Sequence, residues 1–440
     1  MHPLAMRHRL GREAGDATRW LGIAAVGLGA TALAVHLHAR LGTASTPFVG
    51  RYRLKVDPAS AAGPVVAAGI IFASVRRVPD RLPWRSFLAL AYAGALAWTL
   101  SLAVVDGGNG LAGPVTHADE YLTDVGAVDA DPAGFLRTFV ADSAQHAVAT
   151  RQHPPGPVLL LWAVTRAGVT RPALIGLLIA LVGCLTVPTV LVAMRSLCGE
   201  LAARRLAPVL VLAPYAVWVA VSMDAVTATL AAAMVTAGVL ASEQSRRGAS
   251  VGCWALASGL LLGVAALFSY ATPWLALSVL CVYFVRRRPL LGAVTGAAAL
   301  APLLLAHAAG FAWADGLTAA QADFSLRVEP QRSALVWGGV SLVVCALACG
   351  PAIVASARKI RRTPGWPFLI GAVLAVGFAV GAGLARGEME HAWLPYFPWL
   401  LVAAVAPQQR GGEPTATPHW LVGLGAASAI ILEAVLQTAW

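Results

Sequence analysis

The stretch "RPALIGLLIALVGCLTVPTVLVAMR", residues 171–195, holds no charge between its terminal arginines. A helix over 173–194 is as long as a bilayer's hydrocarbon core is thick, about 30 Å. It is therefore expected to cross a membrane. Working outward by the same rule, further spans fall near 20–39, 60–75, 86–105, 206–222, 225–242, 251–268, 271–285, 289–309, 335–354, 366–385, 393–406 and 419–438, thirteen in all. The expected fold is all-α, a polytopic transmembrane helical bundle.

Composition agrees. The chain of 440 residues is 58% hydrophobic and 12% charged, with a mean hydropathy of +0.72. Soluble domains carry about 25% charged residues. The formal charge of +11 does not point to nucleic acid, because no basic tract is interleaved with aromatics. The basic residues sit in short clusters between apolar runs, as in cytoplasmic loops of membrane proteins. All six cysteines lie in or beside apolar segments, which reads as small buried hydrophobes with no disulfides expected. Residues 1–19 are polar and basic ahead of the run at 20–39. The run is read as a first span that stays attached, in a protein of the plasma membrane, since a dozen more spans follow.

Charge sets the expected orientation. With a cytoplasmic N-terminus, the inner segments hold 21 of the 32 Lys and Arg and the longer outer loops hold 11. That asymmetry matches the positive-inside rule. The acids run the other way. The outer loop 106–155 carries Asp106, Asp119, Glu120, Asp124, Asp129, Asp131 and Asp142, a third of the 21 acids. It is too long for a connector, and "DEYLTDVGAV" and "DPAGFLRTFVADSAQHAV" show apolar residues at helical spacing. Asp131-Pro132 predicts a helix start. The apolar run at 157–167 is too short to span, and predicts a short interfacial helix anchored by Trp162. The chain thus divides into three N-terminal spans (1–105), a large extracytoplasmic loop (106–172), and the remaining bundle (173–440) with outer loops 310–334 and 385–396.

Three groups of residues could carry chemistry. The first is the pair Asp119 and Glu120, with Asp106 at the mouth of the third span. A carboxylate at the membrane surface can act as general base if it faces a pocket that holds the reacting hydroxyl. Neighbouring residues diverge, so only one of the pair is expected to be the base, leaving the other for a metal, a sugar hydroxyl or an arginine. The plain alternative is a solvated acidic loop. The second is His153-Pro154-Pro155-Gly156, whose prolines predict a rigid helix start; a simple turn explains the prolines equally. The third is Arg386, Glu388, Glu390 and His391, with Trp393 and Tyr396. So many ionisable residues beside spans are costly unless paired or facing water. An arginine or histidine there could neutralise a phosphate, with a wetted turn as the alternative. Asp224, in "VSMDAV", reads more simply as a helix cap, and Glu433 as a snorkelling side chain.

Taken together, "DEYL", "HPPGPVLLLWAV", "VTRPALIGLLIALVGCLTVPTVLVAMRSLCG" and the turn at "SMDA" resemble the GT-C integral membrane glycosyltransferases. The branch they are most similar to is family 39, the protein O-mannosyltransferases and lipid A aminoarabinose transferases. The segment "GEMEHAWLPY" further resembles a Gly-Glu-x-Glu-Arg-x-Trp-Leu-Pro pattern of uncharacterised actinobacterial members. The likeness runs over residues 106–245 and, in patches, to 396. It implies transfer of a sugar from a polyprenyl-phosphate donor to an acceptor hydroxyl on the extracytoplasmic face, usually with inversion, in cell-envelope glycan or protein glycosylation. By position, Asp119 or Glu120 matches the family's acidic pair and His153-Pro154-Pro155 its loop-closing motif. Two departures stand out: two additional spans precede the loop, and His391 takes the place of the pattern's arginine.

On that resemblance, one carboxylate removes the acceptor proton while the lipid phosphate leaves. The phosphate charge would be met by Arg386, His391, Arg327 or Arg332, or by a divalent cation (Mg or Mn) held by Asp119 and Glu120. The expected partners are the bilayer, a polyprenyl-phosphate sugar, and a glycan, lipid or protein acceptor. The rivals are a polyprenyl-lipid transporter or flippase and a catalytically degenerate scaffold of the same fold. Transporters place ionisable residues near the midplane, whereas the charges here gather at one face.

Overall fold

The computed structural model describes residues 3–438 apart from positions 44, 56, 221, 361 and 410, and the side chains of 3–10 and 438 are not described. The first helix, α1, is Pro3–His36. It is followed by α2 (Ala62–Val75), α3 (Trp84–Ala103) and, beyond the acidic loop, α4 (Gly156–Arg166). Next come α5 (Pro172–Gly183), α6 (Thr186–Cys198), α7 (Glu200–Val211) and α8 (Asp224–Ala241). The second half holds α9 (Ala249–Ala266), α10 (Ala276–Val285), α11 (Leu291–Ala308) and α12 (Trp313–Arg327). It ends with α13 (Ala334–Cys349), α14 (Trp366–Gly381), the single turn α15 (Met389–Ala392) and α16 (His419–Val435).

Among the described residues, seven helices are long and apolar enough to cross a membrane: Gly11–His36, Pro58–Val75, Trp84–Asp106, Pro172–Cys198, Asp224–Ala241, Ala249–Ala266 and Leu291–Ala308. The chain is thus a multi-pass membrane protein, but the thirteen full spans expected from the sequence are not there. Four of them are apolar helices of 10–17 residues: Thr272–Val285, Ala334–Cys349, Trp366–Gly381 and His419–Val435. The other two are not continuous helices. Residues 206–222 begin in α7, which ends at Val211, and Pro214 then starts a tight turn over Pro214–Trp218. Residues 393–406 hold only the short turns Phe397–Leu401 and Val402–Ala404, entered through Pro395 and Pro398. Both broken segments are buried inside the protein, where irregular backbone is tolerated at membrane depth. Side chains supply the missing bonds. Ser356 Oγ donates to the Leu400 carbonyl at 2.5 Å and Lys359 Nζ to the Ala404 carbonyl at 2.7 Å.

Small residues set the helix packing, as expected where lipid offers no hydrophobic drive between helices. On α9, a Cβ at Gly259 would lie 2.2 Å from the Thr295 carbonyl oxygen of α11, and one at Gly263 would lie 2.4 Å from that of Ala299. The buried α8 is central, packed against α5, α6, α9 and α10. Large apolar side chains on the rim, among them Leu300, Leu304, Leu305, Leu335 and Ile431, are exposed, a surface suited to lipid.

One departure from all-α is a small ribbon. Strand β1 (Gly50–Tyr52) pairs antiparallel with β2 (Leu436–Thr438), with Arg51 opposite Gln437. Backbone bonds from Arg53 to Val435 and from Lys55 to Ala434 continue it, tying the α1–α2 connection to the chain's last helix.

Candidate active site

The acidic loop is ordered by its own side chains. Asp131 caps the helix Pro132–Thr138, accepting from the Gly134 N–H at 2.8 Å. Buried Asp124 accepts from the Ala147 N–H at 3.0 Å. The short helix expected from 157 is α4, and its Trp162 Nε1 donates to Asp129 at 3.1 Å. The Gly156 N–H that opens α4 donates to the Leu267 carbonyl at 2.9 Å, and a Cβ there would lie 2.3 Å from that oxygen. Only glycine permits this approach.

That scaffold separates the acidic pair. Asp119 is half-exposed, with its carboxylate 3.7 Å from His117, while its carbonyl accepts from Ala149 at 2.9 Å. Glu120 has extended backbone (φ −95°, ψ 161°) ahead of the turn Tyr121–Asp124. Tyr121 is buried and meets the His153 ring edge-on at 5.9 Å. Glu120 turns inward to the charges of His391, Asp224 and Glu388. Burial raises its pKa to about 7, against the opposing pull of His391.

The centre of the cluster is an ion pair between distant segments. His391 Nδ1 donates to Asp224 Oδ2 at 2.7 Å, and Ser222 Oγ donates to the same oxygen at 3.2 Å. Asp224 is the first residue of α8 and is buried. Burial alone would push the His391 imidazole toward neutrality. The Asp224 hydrogen bond and the charges of Asp224, Glu390 and Glu388 outweigh it and raise its pKa to about 9. At neutral pH His391 is a cation. Glu390 is fully buried, and its Oε1 accepts a long bond of 3.5 Å from the Val49 N–H. Burial raises its pKa to about 7 as well. His153 bonds the Ala149 carbonyl through Nδ1 at 3.0 Å and lies within charge range of Asp224. The cluster thus joins Glu120, His153, Glu388, Glu390 and His391, together with Asp224, which sequence reading had set aside as a cap. The N-cap of α8 is Met223 instead.

The arginines named as phosphate partners are each paired within the protein. Arg386 donates to the carbonyls of Gly383, Glu329 and Arg332, pairs with the Glu329 carboxylate at 2.9 Å, and lies over Phe324. Arg332 donates to the Arg386 carbonyl at 2.7 Å, stacks over Trp337, and stands 3.8 Å from Glu388. Together they clamp the 310–334 and 385–396 segments. Arg327 is half-exposed and pairs with Asp323 at 2.7 Å, an acid it shares with Arg151. Asp106 belongs to a different group. Lys55 Nζ bonds both Asp106 and Glu433 at 2.9 Å, so Glu433 does not snorkel.

Among the described residues no group of three or more His, Cys, Asp or Glu side chains is placed to hold a metal ion.

No family model matches the chain, and no curated protein matches it. Two solved structures are similar. One is ArnT from Cupriavidus metallidurans in the apo state, with a TM-score of 0.41 and 20% identity over 57% of this chain and 48% of that one. The other is the same protein bound to undecaprenyl phosphate, with a TM-score of 0.42 and 20% identity over 58% and 49%. The chain therefore spans about half the length of these structures.

Proposed function

We propose that the protein is a membrane glycosyltransferase that moves a sugar from a polyprenyl-phosphate donor to an acceptor hydroxyl on the extracytoplasmic face, with inversion. The observation that carries this reading is the half-buried Glu120 beside the His391–Asp224 ion pair, in the loop whose motifs resemble the GT-C transferases. Glu120 is the general base. Its pKa of about 7 leaves it able to accept a proton at neutral pH and strong enough as a base to do so usefully. The acceptor oxygen forms its bond to the anomeric carbon as the bond to the phosphate oxygen breaks, and the acceptor's proton passes to Glu120. His391, kept protonated by Asp224, meets the negative charge that develops on the leaving phosphate. This assigns to histidine the role of the arginine in the related sequence pattern. Asp224 is a positioning residue, holding the imidazole's tautomer and charge.

Transfer from a radiolabelled polyprenyl-phosphate sugar in membranes tests the reading. Glu120→Gln is expected to lower kcat by about 100-fold or more, and Asp119→Asn to leave it nearly unchanged. Full activity in Glu120→Gln would remove Glu120 from the chemistry.

A further inference from the structure

A cavity of about 600 Å³ lies beside this cluster, walled by the α1–α2 connection, the start of the acidic loop and the C-terminal strand. None of the roles assigned above uses it. Asp106 and Glu433 face it, cross-linked by Lys55. Arg51, Asn109 and Gln437 line it as well, and all three are exposed. Its floor is apolar in part, through Val217 and Leu436. The β1–β2 ribbon fixes two of its walls, holding Arg51 across from Gln437.

The charges decide the class of ligand. The two carboxylates that line it, Asp106 and Glu433, are both already bonded by Lys55. An anion such as a lipid phosphate would meet a lysine already engaged by two carboxylates. What the walls do offer is a mixture of donors and acceptors. Carboxylates accept from hydroxyls, amide side chains do both, and Arg51 donates. A neutral ligand with many hydroxyls exchanges hydrogen bonds with such a lining.

We infer that this cavity is a saccharide-binding site, and that it seats the acceptor glycan of the transferase. The second half of that statement rests on the function proposed above. The connection to the reacting cluster is direct: Val49 lines the cavity, and its N–H reaches Glu390 at 3.5 Å. His117, three residues before Glu120, lines it as well.

The test uses the full-length protein in lipid nanodiscs on an array of oligosaccharides covering hexoses, pentoses and amino sugars. Wild type is expected to be retained on a subset of them. Asn109→Trp and Gln437→Trp narrow the mouth and are expected to weaken retention about tenfold or more, the scale of one lost polar contact. Asn109→Gln, which keeps the amide, is expected to retain binding. All three sit on the exposed rim, and thermal unfolding checks that each is folded. No retention by wild type, equal retention by the tryptophan variants, or displacement by millimolar inorganic phosphate would each overturn the proposal. Sugar transfer without saccharide retention sinks this site and spares the transferase reading. Retention without transfer does the reverse.

Discussion

Glu120 has extended backbone just before the buried Tyr121, and its side chain lies against the charges of His391 and Asp224 while Asp119 is exposed. From it follows a pH profile with two limbs. A base must be ionised to work, so activity is expected to fall as pH drops through about 7, where burial holds Glu120. The leaving phosphate needs a cation, so activity is expected to fall again as pH rises through about 9, where Asp224 and its acidic neighbours hold His391. The two groups lie within each other's field, so the limbs belong to the cluster and not to single residues. Asp224→Asn removes the main support of the imidazolium, and the alkaline limb should move to lower pH. His391→Arg carries a charge that does not titrate in this range. It should retain transfer and lose the alkaline limb, whereas His391→Gln should cost about 100-fold or more in kcat. An unchanged alkaline limb in His391→Arg would assign that limb to another group. Sequence alone marked Glu120 as one of two candidates, since choosing between neighbours needs the local backbone. It could not mark Asp224. Its partner is 167 residues away, and no local spacing records such a pairing.

At the scale of helices, apolar runs in the sequence place the helices but overstate the length of several, and they do not show the breaks at Pro214 and around Pro395 and Pro398. Residues 173–194 lie within a helical segment, Pro172–Cys198, whereas 206–222 and 393–406 are equally greasy but broken at Pro214 and around Pro395 and Pro398. Hydropathy reports burial from water, and a broken segment packed inside the protein has the same hydropathy as one facing lipid. Close helix contacts were also invisible, because they depend on which glycines face a neighbour. Gly259→Ala would set a methyl against the Thr295 carbonyl and is expected to destabilise by about 1–3 kcal/mol. Gly252→Ala on the same helix meets nothing within 4 Å and is expected to be neutral or slightly stabilising. Thermal melting in detergent compares the two, and equal melting temperatures would show that α9 and α11 do not pack as described. Gly156→Ala tests the same physics near the site. Its methyl would push α4 off the Leu267 carbonyl and shift His153, so transfer should fall along with stability.

For the whole molecule, the acidic loop, the 310–334 segment and the 385–396 segment meet at one end of the bundle. Arg151–Asp323 joins the first two, Arg386–Glu329 the last two, and His391 seats the third on α8 through Asp224. The opposite end is basic and tied together differently. Arg358 pairs with the buried Asp16 of α1, and Arg204 pairs with Glu200 and donates to the Leu82 carbonyl. This polarity agrees with the positive-inside orientation, in which the site faces outward. On the function proposed above, an outward site would meet the lipid-linked donor at the headgroup level of the outer leaflet. The orientation can be tested without any assay of activity. In a background with the six native cysteines replaced, Thr116→Cys lies on the acidic loop and Gln244→Cys on the basic connection after α8; both positions sit outside the apolar helices. A membrane-impermeant maleimide on intact cells should label the first and spare the second until the membrane is opened. The reverse pattern would put Glu120 and His391 in the cytoplasm and exclude transfer on the outer face, while the geometry of the cluster itself would stand.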